Sequence, residues 1–368
     1  MTRDNSKKAE GLNGEVSTRQ VDTGRAEKLP ERVNCASRYK KRHETMNTIN
    51  KFLNRYPCIL GEGAVIERLR RMRGLELDPF VVNSAFIYED NKRRALEGIC
   101  REYLDIGCQF GLPLLMSTPT WRASRERIAA AGLEGADLNG DNVAFLERLR
   151  NSYQEYADKV LICGLMSCKG DAYHPTEALS VDEAAEYHAW QAEKLAATKV
   201  DLLLAATLPA LSEATGLALA LAMTGKPYIV SFVVRPTGTL LDGTPLKDAV
   251  AAIDAVANPK PLAFMINCTH ASFARAALQH EANSSTDVRQ RMIGLFANTA
   301  ALSPEDLDNS SQLVEEEPEA FGASVAALGT DLGLKILGGC CGTDGRHLLA
   351  LAAQLQSGVA RKRGQINY

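Results

Sequence analysis

No apolar run in this 368-residue chain approaches the roughly 18–20 residues that a membrane-spanning helix needs. The opening stretch MTRDNSKKAEGLNGEVSTRQ carries no apolar signal-peptide core. Neither sign of charge dominates: 42 basic and 45 acidic side chains leave a formal charge of −3, too little for a field that would gather nucleic acid or an anionic membrane. A complete dinucleotide fingerprint is missing as well, since Gly61-Glu62-Gly63 runs on into Ala64-Val65-Ile66 without the third glycine. No internal repeat and no linker within the body divides the chain. These absences leave small-molecule chemistry in a cytoplasmic protein as the expectation, with neither nucleic acid nor membrane among its partners.

What is present is an alternation of short apolar runs with longer stretches of helical period. Residues 1–42 are polar and charged without a sustained apolar period; they read as a disordered leader, because folding could not offset their chain entropy. A short helix is expected from near Thr45. The apolar runs predict strands over Cys58–Gly61, Leu112–Ser117, Val160–Leu165, Asp201–Ala206, Tyr228–Val233, Leu262–Asn267, Ile293–Ala297 and Lys335–Gly338. Helix signals lie between them. Ser180 and Glu183 have capping-box spacing, and Ser303-Pro304-Glu305-Asp306 reads as an N-cap, a first-turn proline and two acids favoured by the helix dipole. Strand–helix units in this number predict an α/β fold, a single (β/α)8 TIM barrel, over residues 43–360, with 361–368 as a tail. An open doubly wound sheet is the alternative. Exposed barrel helices are the faces through which copies could pair into a homo-oligomer.

The nine cysteines, at 35, 58, 100, 108, 163, 168, 268, 340 and 341, are an odd number without a secretion signal, as expected of thiols kept reduced. Cys58, Cys100, Cys108 and Cys163 sit in apolar or helical stretches and read as small core hydrophobes. Three others fall differently. Cys268 follows the sixth predicted strand, and Cys340-Cys341 follow the eighth, at the strand ends where a barrel of this kind carries its chemistry. Three converging thiolates suit Zn2+ and leave a fourth tetrahedral position open. Gly338, Gly339 and Gly342 would let adjacent cysteines turn the same way. A pair of buried thiols and a redox couple are the other readings of the adjacent pair. His270 and His347 stand where a loop or helix begins, and read as capping or surface groups rather than ligands.

Asn267-Cys268 after an apolar strand, with Gly338-Gly339-Cys340-Cys341-Gly342-Thr343, resembles the zinc signature of the homocysteine S-methyltransferase family. The resemblance runs from Ile59 to Ala353 and takes in ILGEGAVIERL, STPTWRAS, LLAATLPALSEA and SFVVRPTGTLLDGTPL. It implies a zinc-dependent barrel with Cys268, Cys340 and Cys341 as ligands and no further catalytic group. It also implies that Glu62, Gly63, Thr118, Thr207 and Asn267 face the acceptor thiol. The activity implied is transfer of a methyl group from a small cationic donor, a sulfonium or quaternary ammonium, to homocysteine, giving methionine. The partners are accordingly a small thiol and a methyl donor.

Two departures mark this chain. The family usually has Asp-Gly after the first strand and Glu-Thr-Ile-Pro after the fourth, and its two carboxylates hold the amino group of homocysteine. Here Glu62-Gly63 and Ala206-Thr207-Leu208-Pro209 stand in those places. One carboxylate is lost and the other is a methylene longer, so that Glu62 is expected to reach into the space vacated at Ala206. A different thiol acceptor, or metal and thiol binding without turnover, would be the alternatives. Trp121 could wall a cationic donor, and Ser231, Phe232 and the loop 235–246 could shape the donor pocket, with Arg235 holding a donor carboxylate.

Overall fold

The structure, a computed structural model, describes residues 48–307 and 314–366. The leader expected over 1–42, and Cys35 within it, lie outside the described residues. Eight strands form the frame: β1 (Ile59–Gly61), β2 (Leu114–Ser117), β3 (Val160–Ser167), β4 (Leu202–Leu208), β5 (Tyr228–Phe232), β6 (Ala263–His270), β7 (Met292–Asn298) and β8 (Ile336–Gly339). They pair in parallel and in chain order, and β8 closes on β1 through Ile59–Ile336 and Leu60–Leu337. Helices join successive strands, giving a (β/α)8 barrel.

The strands are apolar on both faces because both are covered. Ile59, Leu115, Leu161, Leu202, Ile229, Met265 and Ile336 pack inside the barrel. Leu60, Leu114, Ile162, Leu203, Val230, Phe264, Leu295 and Leu337 face the helices. Residues 48–55 form the short entry helix, whose Ile49 packs with the inner set and so plugs the N-terminal end of the barrel.

Local signals set several helix ends. Ser180 and Glu183 complete a reciprocal capping box on the helix Val181–Ala196. The Ser303 hydroxyl accepts from Asp306 N as expected, but the helix it opens spans only Pro304–Leu307. The long helix before β8 starts at Pro318, which occupies its first turn. The closing helix Gly345–Ile366 runs past residue 360, so the tail expected over 361–368 is helical through Ile366. Cys58, Cys100 and Cys163 are buried as expected, whereas Cys108 is exposed; it lies in the last turn of the helix Asp90–Phe110, past the buried stripe formed by Tyr103, Leu104 and Gly107.

Candidate metal and acceptor site

Strands β4 and β6 do not stop where their apolar runs stop. β6 continues to His270, pairing with β7 through a bulge between Asn267 and Thr269. Cys268 is therefore inside the bulge rather than after the strand, in the left-handed region at φ 51°. β4 bulges against β5 between Ala205 and Leu208, and Thr207 is left-handed at φ 60°. For a residue with a Cβ this conformation costs on the order of 1–2 kcal/mol, and a bulge re-aims the side chain it carries.

Cys340 and Cys341 sit on the turn that leaves β8. The Cys340 amide donates to Ala297 O at 2.7 Å, and the Cys341 amide donates to Asn298 Oδ1 at 3.1 Å. Gly342 follows at φ 84°, where a Cβ would lie 1.9 Å from Thr299 Oγ1. Its amide donates to Glu67 Oε2. These contacts put the Cys268 sulfur 3.0 Å from that of Cys340 and 3.8 Å from that of Cys341. All three lie within 4.8 Å of one another, the one such group of potential metal ligands among the described residues. Four sulfurs about 2.3 Å from a tetrahedral ion would stand about 3.8 Å apart. The spacing to Cys341 thus matches already, and the spacing to Cys340 needs to open by less than 1 Å. The sulfurs hold one another: hydrogen bonds from Cys268 and Cys341 lower the Cys340 pKa far below its ordinary value, while Cys268 is raised by its bonds to Cys340 and Cys341.

Glu62 leaves β1 at the same rim and is buried. Burial raises its pKa from the ordinary 4.5 to about 7, against hydrogen bonds from the Ser117 side chain and backbone that act the other way. Its Oε2 is buried and has no hydrogen-bond partner among the described residues. Ala206 is buried at the end of β4. Gly63 is needed for packing, since a Cβ there would meet Leu348 Cδ2 at 2.7 Å and the Tyr103 hydroxyl at 2.8 Å.

The remaining residues read as acceptor-facing are largely occupied by the protein. Thr118 Oγ1 accepts from Leu165 N at 2.9 Å and pairs with Thr120 Oγ1 at 2.6 Å, tying β2 to the end of β3. Asn267 Oδ1 accepts from Thr207 N and Ser231 Oγ, and its Nδ2 donates to Thr207 Oγ1. Ser231 is consumed by that bond, and Phe232 stacks on Phe264 at 5.8 Å on the helix side of the sheet. Arg235 is paired bidentately with Glu305, so its guanidinium already has a carboxylate. The Arg122 guanidinium covers the ring of Trp121 at 4.2 Å. His270 accepts from Ser272 N at the start of the helix Ala271–Gln279. Both ring nitrogens of His347 are engaged, by Asp344 and by Glu316 O.

Two groups escape a reading of the sequence. Asn298 is buried at the end of β7, and among the described residues its Nδ2 has no hydrogen-bond partner. Tyr173, in the segment after β3, is the other: the charge of Cys268 foremost, then burial and the other two sulfurs, raises its pKa. A loop at the C-terminal end of a barrel strand was the available signal, but it does not single out one tyrosine.

The sequence profile of the family described as homocysteine S-methyltransferase matches residues 59–355. The homocysteine S-methyltransferase of Escherichia coli (strain K12) is 26% identical over 329 residues, covering 84% of this chain and 98% of its own. The homocysteine S-methyltransferase YbgG of Bacillus subtilis (strain 168) is 25% identical over 333 residues, 85% of this chain and 99% of its own. Among solved structures, the oxidized form of the E. coli homocysteine methyltransferase MmuM aligns with a TM-score of 0.66 at 25% identity, over 82% of this chain and 97% of that one. Its metallated form shares the fold with a TM-score of 0.64 at 24% identity, over 84% and 99%. With a family match that spans the barrel from β1 to the closing helix, and three thiols gathered at its rim, the chain belongs to the homocysteine S-methyltransferase family and is a methyltransferase.

Proposed function

We propose that this protein moves a methyl group from a small cationic donor, a sulfonium or quaternary ammonium, to the sulfur of homocysteine, using zinc held by Cys268, Cys340 and Cys341. The observation that carries the reading is the three-sulfur group, assembled from two distant segments at the mouth of the barrel. Its donor set is all thiol, which suits zinc. Bound there, zinc would supply the ionisation of an acceptor thiol, whose pKa near 8.5 otherwise leaves only about a few per cent as thiolate at pH 7.

The protein's own residues have separate tasks. Glu62 offers a buried, unpartnered carboxylate oxygen at the rim, and an acceptor's ammonium is the cation that would satisfy it. Asn267 and Thr118 act at one remove by fixing the strand ends. In the transfer the acceptor S–H proton leaves to solvent and a bond forms between its sulfur and the methyl carbon. The donor's bond to that carbon breaks with its electron pair staying on the donor sulfur or nitrogen. Opposite charges are cancelled, so positioning and removal of hydration supply the acceleration.

Ala206, where the family has a second carboxylate, favours a second reading, an acceptor that is not an amino acid. Zinc content is measured first. The protein is then incubated with homocysteine and each of S-methylmethionine, S-adenosylmethionine, betaine and dimethylsulfoniopropionate while methionine is followed. Methionine from one donor supports the proposal. Zinc without methionine from any donor would favour the second reading, or a protein that binds metal and thiol without turnover.

A further inference from the structure

The turn that carries Cys340 and Cys341 is held from two sides. From β7 and the residue after it, Ala297 O accepts from the Cys340 amide, Asn298 Oδ1 accepts from the Cys341 amide, and the Thr299 amide donates to Cys341 O at 3.1 Å. On the other side stands the segment 62–67, which leaves β1. The Gly339 amide donates to Glu62 O at 2.8 Å, the Ala64 amide donates to the Thr343 hydroxyl at 3.0 Å, and that hydroxyl donates to Cys340 O at 2.6 Å. Glu67 adds the third tie with its side chain, Oε2 accepting from the Gly342 amide.

Glu67 lies in the first turn of the short helix Ile66–Arg71, which is itself anchored. Leu69 is buried in the core, and Arg68 Nη1 donates to the Tyr103 hydroxyl at 3.1 Å while its Nη2 stands 2.6 Å from Glu102 Oε2. Arg71 Nη2 stands 2.5 Å from Glu67 Oε1, so each oxygen of the Glu67 carboxylate has its own partner. Solvent and the helix dipole would satisfy a first-turn acid; this one is turned onto the backbone amide that follows a thiol. The peptide joining Cys341 to Gly342 is thereby gripped at its carbonyl by Thr299 and at its N–H by Glu67. With the Cys341 amide on Asn298, both peptide planes flanking Cys341 are fixed, and its sulfur starts from a set Cβ direction.

We propose that Glu67 is a positioning residue of the thiol centre: by holding the Gly342 amide it aims the Cys341 sulfur at those of Cys268 and Cys340, and it locks the thiol turn to the segment that carries Glu62. The inference rests on the metal reading given above. Groups that orient a metal ligand without touching the metal cost about 10–100-fold in metal affinity when removed.

The test separates reach from charge. Zinc affinity of the full-length protein is measured by competition with a chromophoric chelator, and far-UV circular dichroism verifies folding. Glu67→Ala is expected to bind zinc about 10–100-fold more weakly. Glu67→Asp keeps the charge but retracts the oxygens by a methylene, and is expected to weaken binding over the same range. Glu67→Gln keeps an oxygen within reach of the Gly342 amide and is expected to stay within about threefold of wild type, close to the effect of an uninvolved surface change. If Glu67→Ala does not fold, the contrast between Glu67→Asp and Glu67→Gln carries the test. Wild-type affinity in Glu67→Asp, or an equal loss in Glu67→Asp and Glu67→Gln, would overturn the inference while leaving the metal reading intact. No stoichiometric zinc in the wild-type protein would overturn the metal reading, and this inference with it.

Discussion

Asn267 holds Thr207 with both ends of its carboxamide: Oδ1 accepts from the Thr207 amide at 2.9 Å, and Nδ2 donates to the Thr207 hydroxyl at 2.8 Å. The two residues belong to the bulges of β6 and β4, and the strained positions are Thr207 itself and Cys268, next to Asn267. A single amide therefore stabilises the left-handed backbone at one bulge and anchors the strand that aims Cys268 at the other. Asn267→Ala would leave the buried Thr207 amide and Ser231 hydroxyl without their acceptor. The expected cost is about 2–4 kcal/mol, with a loss of metal affinity as Cys268 drifts. Denaturant unfolding of the metal-free protein and competition against a chromophoric chelator measure the two effects. Unfolding free energy within about 0.5 kcal/mol of wild type, the range of an uninvolved surface position, would contradict the assignment.

The barrel and its thiols were legible because both rest on strong local signals: eight apolar runs separated by helical stretches, and cysteines at the ends of two of them. Which way a strand residue points was less legible. In a parallel barrel both faces are apolar, so nothing distinguishes Phe232, turned toward the helices, from Ile229, turned inward. The bulges were invisible for a related reason, since Asn267-Cys268 and Ala206-Thr207 carry no glycine to mark a left-handed residue. The reading of Thr118 and Asn267 as acceptor contacts meets a structure in which backbone groups and neighbouring hydroxyls take most of their hydrogen bonds. Tyr173 depends on the path of an irregular loop, which hydrophobic period does not encode.

Glu62 makes the protein's stability depend on pH in an unusual direction for a carboxylate. Its folded pKa is raised, from 4.5 to about 7, by burial. The folded state therefore binds the proton more tightly than the unfolded state, and the stability contributed is complete below about pH 4.5 and lost as pH rises through 7. Across that window the difference is on the order of 3 kcal/mol. Glu62→Gln, which removes the ionisation, is expected to stabilise the metal-free protein at pH 8 and to leave it nearly unchanged at pH 4.5. Denaturant midpoints at the two pH values read this out, and equal changes at both would contradict it.

The same carboxyl should couple acceptor binding to proton release. If an ammonium pairs with Glu62, acceptor affinity falls as pH drops below 7, by about tenfold between pH 8 and pH 6 for one group of pKa near 7. Thiol ionisation pushes the same way, so the comparison is with Glu62→Gln, which should lose this component and keep the other. Isothermal titration in buffers of different ionisation enthalpy counts the protons. An unchanged proton count in the variant would remove Glu62 from the acceptor site.

Removing the metal should not unfold the protein. The thiols sit at the rim, while the core is supplied by the strand and helix residues beneath them. A chelator is expected to abolish turnover and lower the thermal midpoint with far-UV circular dichroism unchanged, and added zinc should restore activity. Cys268→Ala, Cys340→Ala and Cys341→Ala should each lose stoichiometric zinc. Cys100→Ala should retain it, because that thiol is buried elsewhere, with a pKa driven up by burial. Zinc retained in full by Cys268→Ala would refute the three-thiol site.

The exchange of carboxylates between β1 and β4 predicts a reciprocal pair of variants. Glu62 and Ala206 are both buried at the barrel mouth, a long acid at one and a methyl group at the other. If the longer side chain uses the room left by Ala206, then Ala206→Glu alone crowds a second buried carboxylate against the first. Repulsion and overpacking should then outweigh the added ammonium partner, and acceptor KM should rise. Glu62→Asp alone retracts the only carboxylate by a methylene and should also raise KM. Together the changes recreate the family's usual spacing, and the double variant should bind homocysteine better than either single one, with a coupling of about 0.5–3 kcal/mol if the two positions share the ligand. Additive effects would mean that the two positions do not share a ligand, and the acceptor's amino group would then have to be held elsewhere.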